Sequence, residues 1–220
     1  MIERKMKDIA ILGVGGLGRE VLALIKDINN HIPTWNVIGF FDDACPKGRQ
    51  VNGIPVLGNI DALNDWNTDL AVVVAIGTSD IREKVVSNII NRHISFPTLI
   101  HPSVIISDRD YITIGSGAVI CAGCILTTNI TIGDFVLLNL ACTVGHDAVL
   151  ESYTSFMPQC SVSGEVHIER GAYCGTGVKI INRITIGSYA IVGAGAVVVS
   201  DMPAHTTIVG VPAKVIKTNK

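Results

Sequence analysis

The chain has 220 residues, 48% hydrophobic but only 5% aromatic and 16% charged. That is enough apolar matter for one large domain or two small ones, packed mainly by Val, Ile, Leu, Ala and Gly. A formal charge of -2 gives no electrostatic reason to expect nucleic acid or an anionic membrane as partner. No apolar run approaches the ~18–20 residues of a membrane span, and the charged start MIERKMKD leads into a strand without a signal-peptide core, so a soluble, cytoplasmic protein is expected.

The first stretch, IAILGVGGLGREVLALIKDI, is a short apolar strand, a glycine-rich turn and a helical pattern. Gly13, Gly15 and Gly18 fit GxGxxG in the strand–turn–helix setting that the motif requires. Glycines there let a loop approach a phosphate, and the helix N-terminus adds a favourable dipole. A second strand, NVIGFFDD, ends at Asp42 and Asp43, where a carboxylate accepts bonds from ribose hydroxyls or a base edge. A third, LAVVVAIG, ends at Gly77. It leads into a helix, SDIREKVVSNIINR, with Ser79 as N-cap, and then into FPTLIHP as a fourth strand.

This β-α-β-x-β-α-β unit reads as a parallel sheet. A full dinucleotide fold needs two mononucleotide halves, and the segment supplies barely one and a half. A single nucleotide or a nucleotide-sugar is therefore favoured over a nicotinamide cofactor. A tight turn that binds nothing competes with both.

From Ile114 onward the sequence keeps a period of six. All fifteen positions from Ile114, Ile120 and Leu126 to Val192 and Val198 are apolar; chance would give this on the order of once in 60,000, so the repeat is real. Four residues after each apolar position the side chains are mostly small, as at Ala118, Cys124, Cys142, Ala148 and Cys160, and glycine often follows it directly, as in IGSGAV and IGDFVL. Neither an α-helix nor an alternating strand has this period. Short strands joined by tight corners and wound into a β-helix do. Three hexads make a triangular coil, so residues 18 apart stack at ~4.8 Å. Cys124, Cys142 and Cys160 then form a buried column of reduced thiols, a blander reading than redox or metal chemistry for the CxxC at Cys121 and Cys124.

These hexads and the terminal VGVPAKVI resemble the hexapeptide-repeat acyltransferases with a left-handed β-helix. Preceded by ILGVGGLGREVL, FFDD, VAIG and HPSVIIS, the whole chain resembles the group of sialic acid O-acetyltransferases and UDP-4-amino-sugar N-acetyltransferases. The resemblance implies an α/β, Rossmann-like nucleotide-sugar-binding domain over residues 1–100. A left-handed parallel β-helix follows over residues 101–220, its last coil covered by the C-terminal MPAHTTIVGVPAKVI. The left hand comes from the family alone. Acetyl-CoA as co-substrate, no metal and a homotrimer are implied with it.

Within VGHDAV, His146 and Asp147 occupy the third and fourth places of a hexad, corner positions that point away from the core. A corner histidine is ordinarily just solvated. Most other corners here carry Gly, Ser, Ala, Thr or Asn, and Gly164 follows 18 residues on, above His146, where a backbone N–H could face a ligand. Acetyl transfer needs a base of near-neutral pKa, and a neighbouring carboxylate holds its tautomer and stabilises the imidazolium, while backbone N–H groups stabilise an oxyanion. The resemblance makes His146 that base and the attack direct. It also implies acetyl-CoA in a groove between neighbouring subunits, past Gly164, Gly175 and Gly193, with Lys214 on the CoA phosphates. Gly15, Gly16, Asp42, Asp43 and Gly77 would contact the nucleotide-sugar.

Two positions depart from the family. Ser155 stands where a second histidine often holds the acetyl-CoA carbonyl, a contact its hydroxyl could supply, and Leu17 replaces a histidine common in the glycine loop. The leading expectation is N-acetylation of a nucleotide-linked amino sugar. O-acetylation of a sialic acid or another glycan precursor is the nearest alternative. A zinc site would have only His146 and His167, at non-equivalent corners, and lacks a third ligand. A non-catalytic nucleotide-sugar-binding subunit is favoured only by Ser155 and Leu17.

Overall fold

The computed structural model describes residues 6–219, so most of the charged start lies outside the described residues. Two units form: residues up to 77 with Ile81–Pro102, and Thr78–Asp80 with the chain from Ser103 onward.

In the first unit, strand β1 (Lys7–Leu12), helix α1 (Gly16–His31) and strand β2 (Trp35–Phe41) are followed by β3 (Gln50–Val51), β4 (Ile54–Gly58), α2 (Ile60–Asn64), β5 (Leu70–Val74), α3 (Ser79–Ser87), whose first two residues belong to the second unit, and β6 (Ile94–Ser95). The sheet order is β3-β4-β2-β1-β5-β6, and every pairing is parallel except the β3–β4 hairpin. Ile9, Ile11, Phe40, Phe41, Val72 and Val73 are wholly buried, the unbroken apolar run of strands covered on both faces. Helix α1 buries Val21, Leu22, Leu24 and Ile25. Because β1 lies between β2 and β5, the chain reverses its order there. A crevice opens at such a switch point, beyond the C-terminal ends of the strands.

Four details differ from the sequence reading. The unassigned stretch before the third strand is a hairpin: Asn52 and Gly53 have φ of 49° and 80°, the left-handed pair that a two-residue Asn-Gly loop supplies. Helix α3 ends at Ser87, short of Arg92. Beyond it the chain is held by asparagines: Asn64 Nδ2 donates to Asn88 O at 2.9 Å, and Asn91 Nδ2 to Trp66 O at 2.6 Å. Such amide side chains compete with helical bonds. Ser79 is the first residue of α3, not its cap. The fourth parallel strand is Ile94–Ser95, whereas Leu99–Ile100, just past Pro97, lies outside this sheet; proline cannot donate to a ladder.

In the second unit the period of six becomes coils of parallel two- and three-residue strands. The registers Ile125↔Thr143, Val149↔His167 and Ser155↔Tyr173 each span 18 residues. The winding begins before the repeat is legible, at Ile105–Ile106. That coil takes 20 residues, Ile105↔Ile125, because a 3-10 turn at Arg109–Tyr111 enlarges its corner. The last strand of the coil, Thr206–Val209, pairs with Ile191–Val192 and then with the antiparallel Lys214–Thr218. The C-terminal segment thus folds back along one face as a hairpin.

Apolar first positions of the hexads from Ile120 to Val198 are at most 3% exposed. Cys124, Cys142 and Cys160 stack as expected, with Sγ donating to the carbonyls of Asn139, Met157 and Gly175 at 3.1, 3.3 and 3.2 Å. Glycine recurs at the second position because the next coil passes close by: a Cβ on Gly133 would lie 2.5 Å from Ser152 N, and one on Gly145 2.6 Å from Gly164 N. Every fourth position from Gly117 to Gly195 is left-handed, including Phe135, Tyr153, Glu165 and Arg183. A repeated backbone bond compensates the strain, as in Phe135 N–H to Ser116 O at 2.8 Å and Glu165 N–H to His146 O at 2.8 Å.

Candidate active site

His146 and Asp147 sit on the corner between the strands Thr143–Val144 and Val149–Leu150. Adjacent residues of a strand point to opposite sides. At this corner Asp147 is left-handed, φ 59°, and the chain turns onto the next face, which brings both side chains to one side. Their contact is short: His146 Nδ1 lies 2.7 Å from Asp147 Oδ2. Both side chains are about half exposed, 56% and 50%, so the pair adds only ~0–1 kcal/mol to stability. With Nδ1 donating to the carboxylate, the Nε2 lone pair is the one offered outward. Nε2 stands beside Gly164, one coil on, where a Cβ would collide with it. The structure thus brings His146, Asp147 and Gly164 together at one corner.

Gly175 and Gly193 are also stacked one coil apart, but on a different corner, after Tyr173–Cys174 and Ile191–Val192. Gly193 lies against Val209, with a Cβ reaching Val209 Cγ1 at 2.8 Å, and Val209 pairs with Lys214. Gly175, Gly193 and Lys214 thus form a second group, and one face of the coil separates it from His146. Ser155 lies on the opposite face from His146, buried at 0% exposure. Ser79 Oγ donates to its hydroxyl at 3.0 Å, and it is the burial of Ser155 that keeps a thioester from it. On the same face Tyr173 and Ile191 line a cavity of about 510 Å³ with Thr78, Asp80, Tyr189 and His205. His167 is on a strand, not a corner, and its Nε2 meets Glu151 Oε1 at 2.8 Å.

The first unit gathers Gly15, Gly16, Asp42, Asp43 and Gly77 beyond the ends of β1, β2 and β5. Its glycines divide by role. Gly13 needs its φ of +109°, and Gly18 lets α1 touch the Gly13 carbonyl. A Cβ on Gly15 or Gly16 would meet nothing within 4 Å, so the fold itself does not require glycine there. Gly15 caps α1 without a side-chain bond, leaving the first amide groups of the helix to solvent or a ligand. Asp42 accepts from Val14 N–H at 3.0 Å and Ala44 N–H at 2.9 Å, and Asp43 from Ile60 N–H at 2.9 Å. Both carboxylates therefore already shape the loops. Leu17 stands near Gly77, its Cδ2 3.9 Å from where a Cβ would be. The β3–β4 hairpin, which walls a second cavity with Val14 and Asp42, escaped the sequence reading, although the Asn52-Gly53 dipeptide between short apolar runs signals it.

Comparison with known proteins covers both units. Residues 8–89 match the PglD N-terminal domain. Over 214 residues the chain is 34% identical to GDP-perosamine N-acetyltransferase of Escherichia coli O157:H7, covering 94% of this chain and 95% of that protein. PerB from Caulobacter crescentus, solved with CoA and GDP-perosamine, superposes with a TM-score of 0.85 at 30% identity, covering 97% of this chain and 99% of that one. The acetyltransferase domain of PglB from Neisseria gonorrhoeae, solved with acetyl coenzyme A, gives 0.87 at 32% identity, covering 96% and 100%.

Proposed function

The chain belongs to the hexapeptide-repeat acyltransferases of the left-handed β-helix type, in the sugar-acetyltransferase group, and we propose that it transfers the acetyl group of acetyl-CoA to the amino group of a nucleotide-linked amino sugar. The observation that carries the mechanism is the 2.7 Å contact of His146 Nδ1 with Asp147 Oδ2. It leaves Nε2 facing outward beside the bare Cα of Gly164. Relatives solved with CoA and GDP-perosamine or acetyl coenzyme A support the substrate class.

In this reading the neutral amine attacks the thioester carbonyl carbon while His146 Nε2 takes its proton. Asp147 holds the useful tautomer and stabilises the imidazolium. Backbone N–H groups near Gly164 stabilise the oxyanion. Collapse breaks the C–S bond, and the imidazolium returns its proton to the departing CoA thiolate. No acyl-enzyme forms. Gly164 at one corner and Gly175, Gly193 and Lys214 at another would serve one elongated acetyl-CoA when supplied by two copies of the chain, as in a homotrimer. Ser155, wholly buried, would reach the acetyl carbonyl only if its face of the coil opens. Gly15, Gly16, Asp42, Asp43 and Gly77 would receive the nucleotide. Reduced thiols and acetyl-CoA dependence fit a cytoplasmic setting.

The test is CoA-thiol release from acetyl-CoA with UDP- and GDP-linked 4-amino sugars and with sialic acid, comparing wild type with His146→Ala. Turnover of an amino sugar that falls about 100-fold or more, the range for loss of a general base, supports the proposal. Turnover of sialic acid alone replaces it with O-acetylation.

A further inference from the structure

Two guanidinium groups of the first unit line the same cavity and have no side-chain partner there. The cavity, about 310 Å³, is bounded by Val14 and Asp42, by Arg19 from the first turns of α1, and by Arg49, Gln50 and Asn52 from the hairpin segment. Among the described residues, neither Arg19 nor Arg49 has a side-chain hydrogen bond or ion pair. Three other arginines are committed: Arg82 donates to Ile76 O at 2.6 Å, Arg170 lies over the Tyr153 ring at 4.7 Å, and Arg183 pairs with Glu165 at 3.1 Å. Arg92 and Arg109 are unpaired too among the described residues, but neither lines this cavity. Asp42, the carboxylate of the cavity, has one oxygen on Val14 N–H and the other on Ala44 N–H. It therefore answers backbone amides and not the arginines.

Two guanidinium groups against the single carboxylate of Asp42 leave the concavity net positive and favour an anionic ligand. The guanidinium fork suits phosphate oxygens in particular. The uncapped start of α1 contributes further donors of the same sign. Gln50 and Asn52 bring amides that both donate and accept, which is what a base edge needs.

We propose that Arg19 and Arg49 clamp the diphosphate of a nucleoside-diphosphate-linked substrate, with the base lying along the hairpin at Gln50 and Asn52. The proposal rests on the nucleotide-sugar reading and adds two residues and a wall to it.

Calorimetric titration of the full chain without acetyl-CoA tests it, with UDP, GDP, uridine and guanosine as probes. Wild type should bind at least one diphosphate about 100-fold more tightly than its nucleoside, with the affinity falling as salt is raised. Arg19→Gln and Arg49→Gln should each weaken the diphosphate about 10-fold and leave the nucleoside unchanged. The corresponding lysine variants should recover part of the loss. Since neither side chain holds part of the fold, thermal melting should coincide with wild type. Diphosphate affinity unchanged in both glutamine variants, equal binding of diphosphate and nucleoside, or no diphosphate binding by wild type would each overturn the clamp. The two proposals fail separately. Amino-sugar turnover indifferent to both arginines removes only the clamp, and arginine-dependent diphosphate binding without acetyl transfer removes only the transferase reading.

Discussion

The imidazole of His146 lies against the bare Cα of Gly164, one coil further along the β-helix, so that a methyl group there would fall on Nε2. The backbone of Gly164 is not left-handed, so alanine is conformationally acceptable and only the ring must move. Gly164→Ala should therefore leave the melting temperature nearly unchanged and lower kcat about 100-fold, the effect of an ~1 Å misplacement of a catalytic group. Steady-state CoA release and a circular-dichroism melt, run together, check both halves.

Asp147 has two duties that one substitution separates. Its left-handed backbone, φ 59°, is tolerated by asparagine, so Asp147→Asn keeps the corner and removes the charge. We expect kcat to fall on the order of 100-fold, with a stability change under about 1 kcal/mol. Asp147→Ala should lose similar activity and additional stability, since alanine resists φ above zero. Full activity in the asparagine variant would show that the carboxylate does not orient the base.

The glycine loop offers a contrast between structure and binding. Gly15→Ala meets nothing within 4 Å, so it should melt like wild type while raising KM for the nucleotide-sugar several-fold. Gly18→Ala would drive a Cβ into the Gly13 carbonyl and should destabilise by about 1–3 kcal/mol. Denaturant melts and KM values for the two variants read the difference directly.

Thiol chemistry tests the column. Hydrogen bonding to the flanking thiols Cys124 and Cys160, with burial, holds the Cys142 thiol well above its ordinary pKa, and burial does the same for Cys174. Raised values keep these groups protonated and unreactive. Cys124, Cys142, Cys160 and Cys174 are at most 1% exposed, whereas Cys45 and Cys121 retain 9% and 5%. A disulfide reagent at pH 8 should therefore label at most Cys45 and Cys121 in the native chain, and all six cysteines only in denaturant.

Phe156 fills a first position of the hexad, with no exposure. Phe156→Ala should cost about 3–5 kcal/mol and broaden or lower the thermal transition, without displacing the His146 corner on the opposite side of its coil.

Much of this was legible because the β-helix writes itself into sequence at a fixed interval. Each coil repeats the same steric demand, so Ile120, Leu138 and Phe156 declare the inward slot, and a stacking interval of 18 follows by arithmetic. The pairing of His146 with Asp147 and its alignment with Gly164 were readable for the same reason. The first unit was readable where glycine or acidic residues punctuate strands, as at Gly13, Gly18 and Asp42.

The sequence by itself thus determined the repeat, the order of the elements and the corner that carries the imidazole–carboxylate pair, since these depend on contacts at constant separation. Only the tertiary structure decided what depends on irregular, long-range approach. It set the Asn52-Gly53 hairpin beside the glycine loop, gathered Arg19 and Arg49 into one cavity, and buried Ser155 against Ser79. Residues 19 and 49 share no period, and nothing local to either chain segment records that the other will stand opposite. Their encounter is fixed by the packing of α1 and the hairpin on a common sheet.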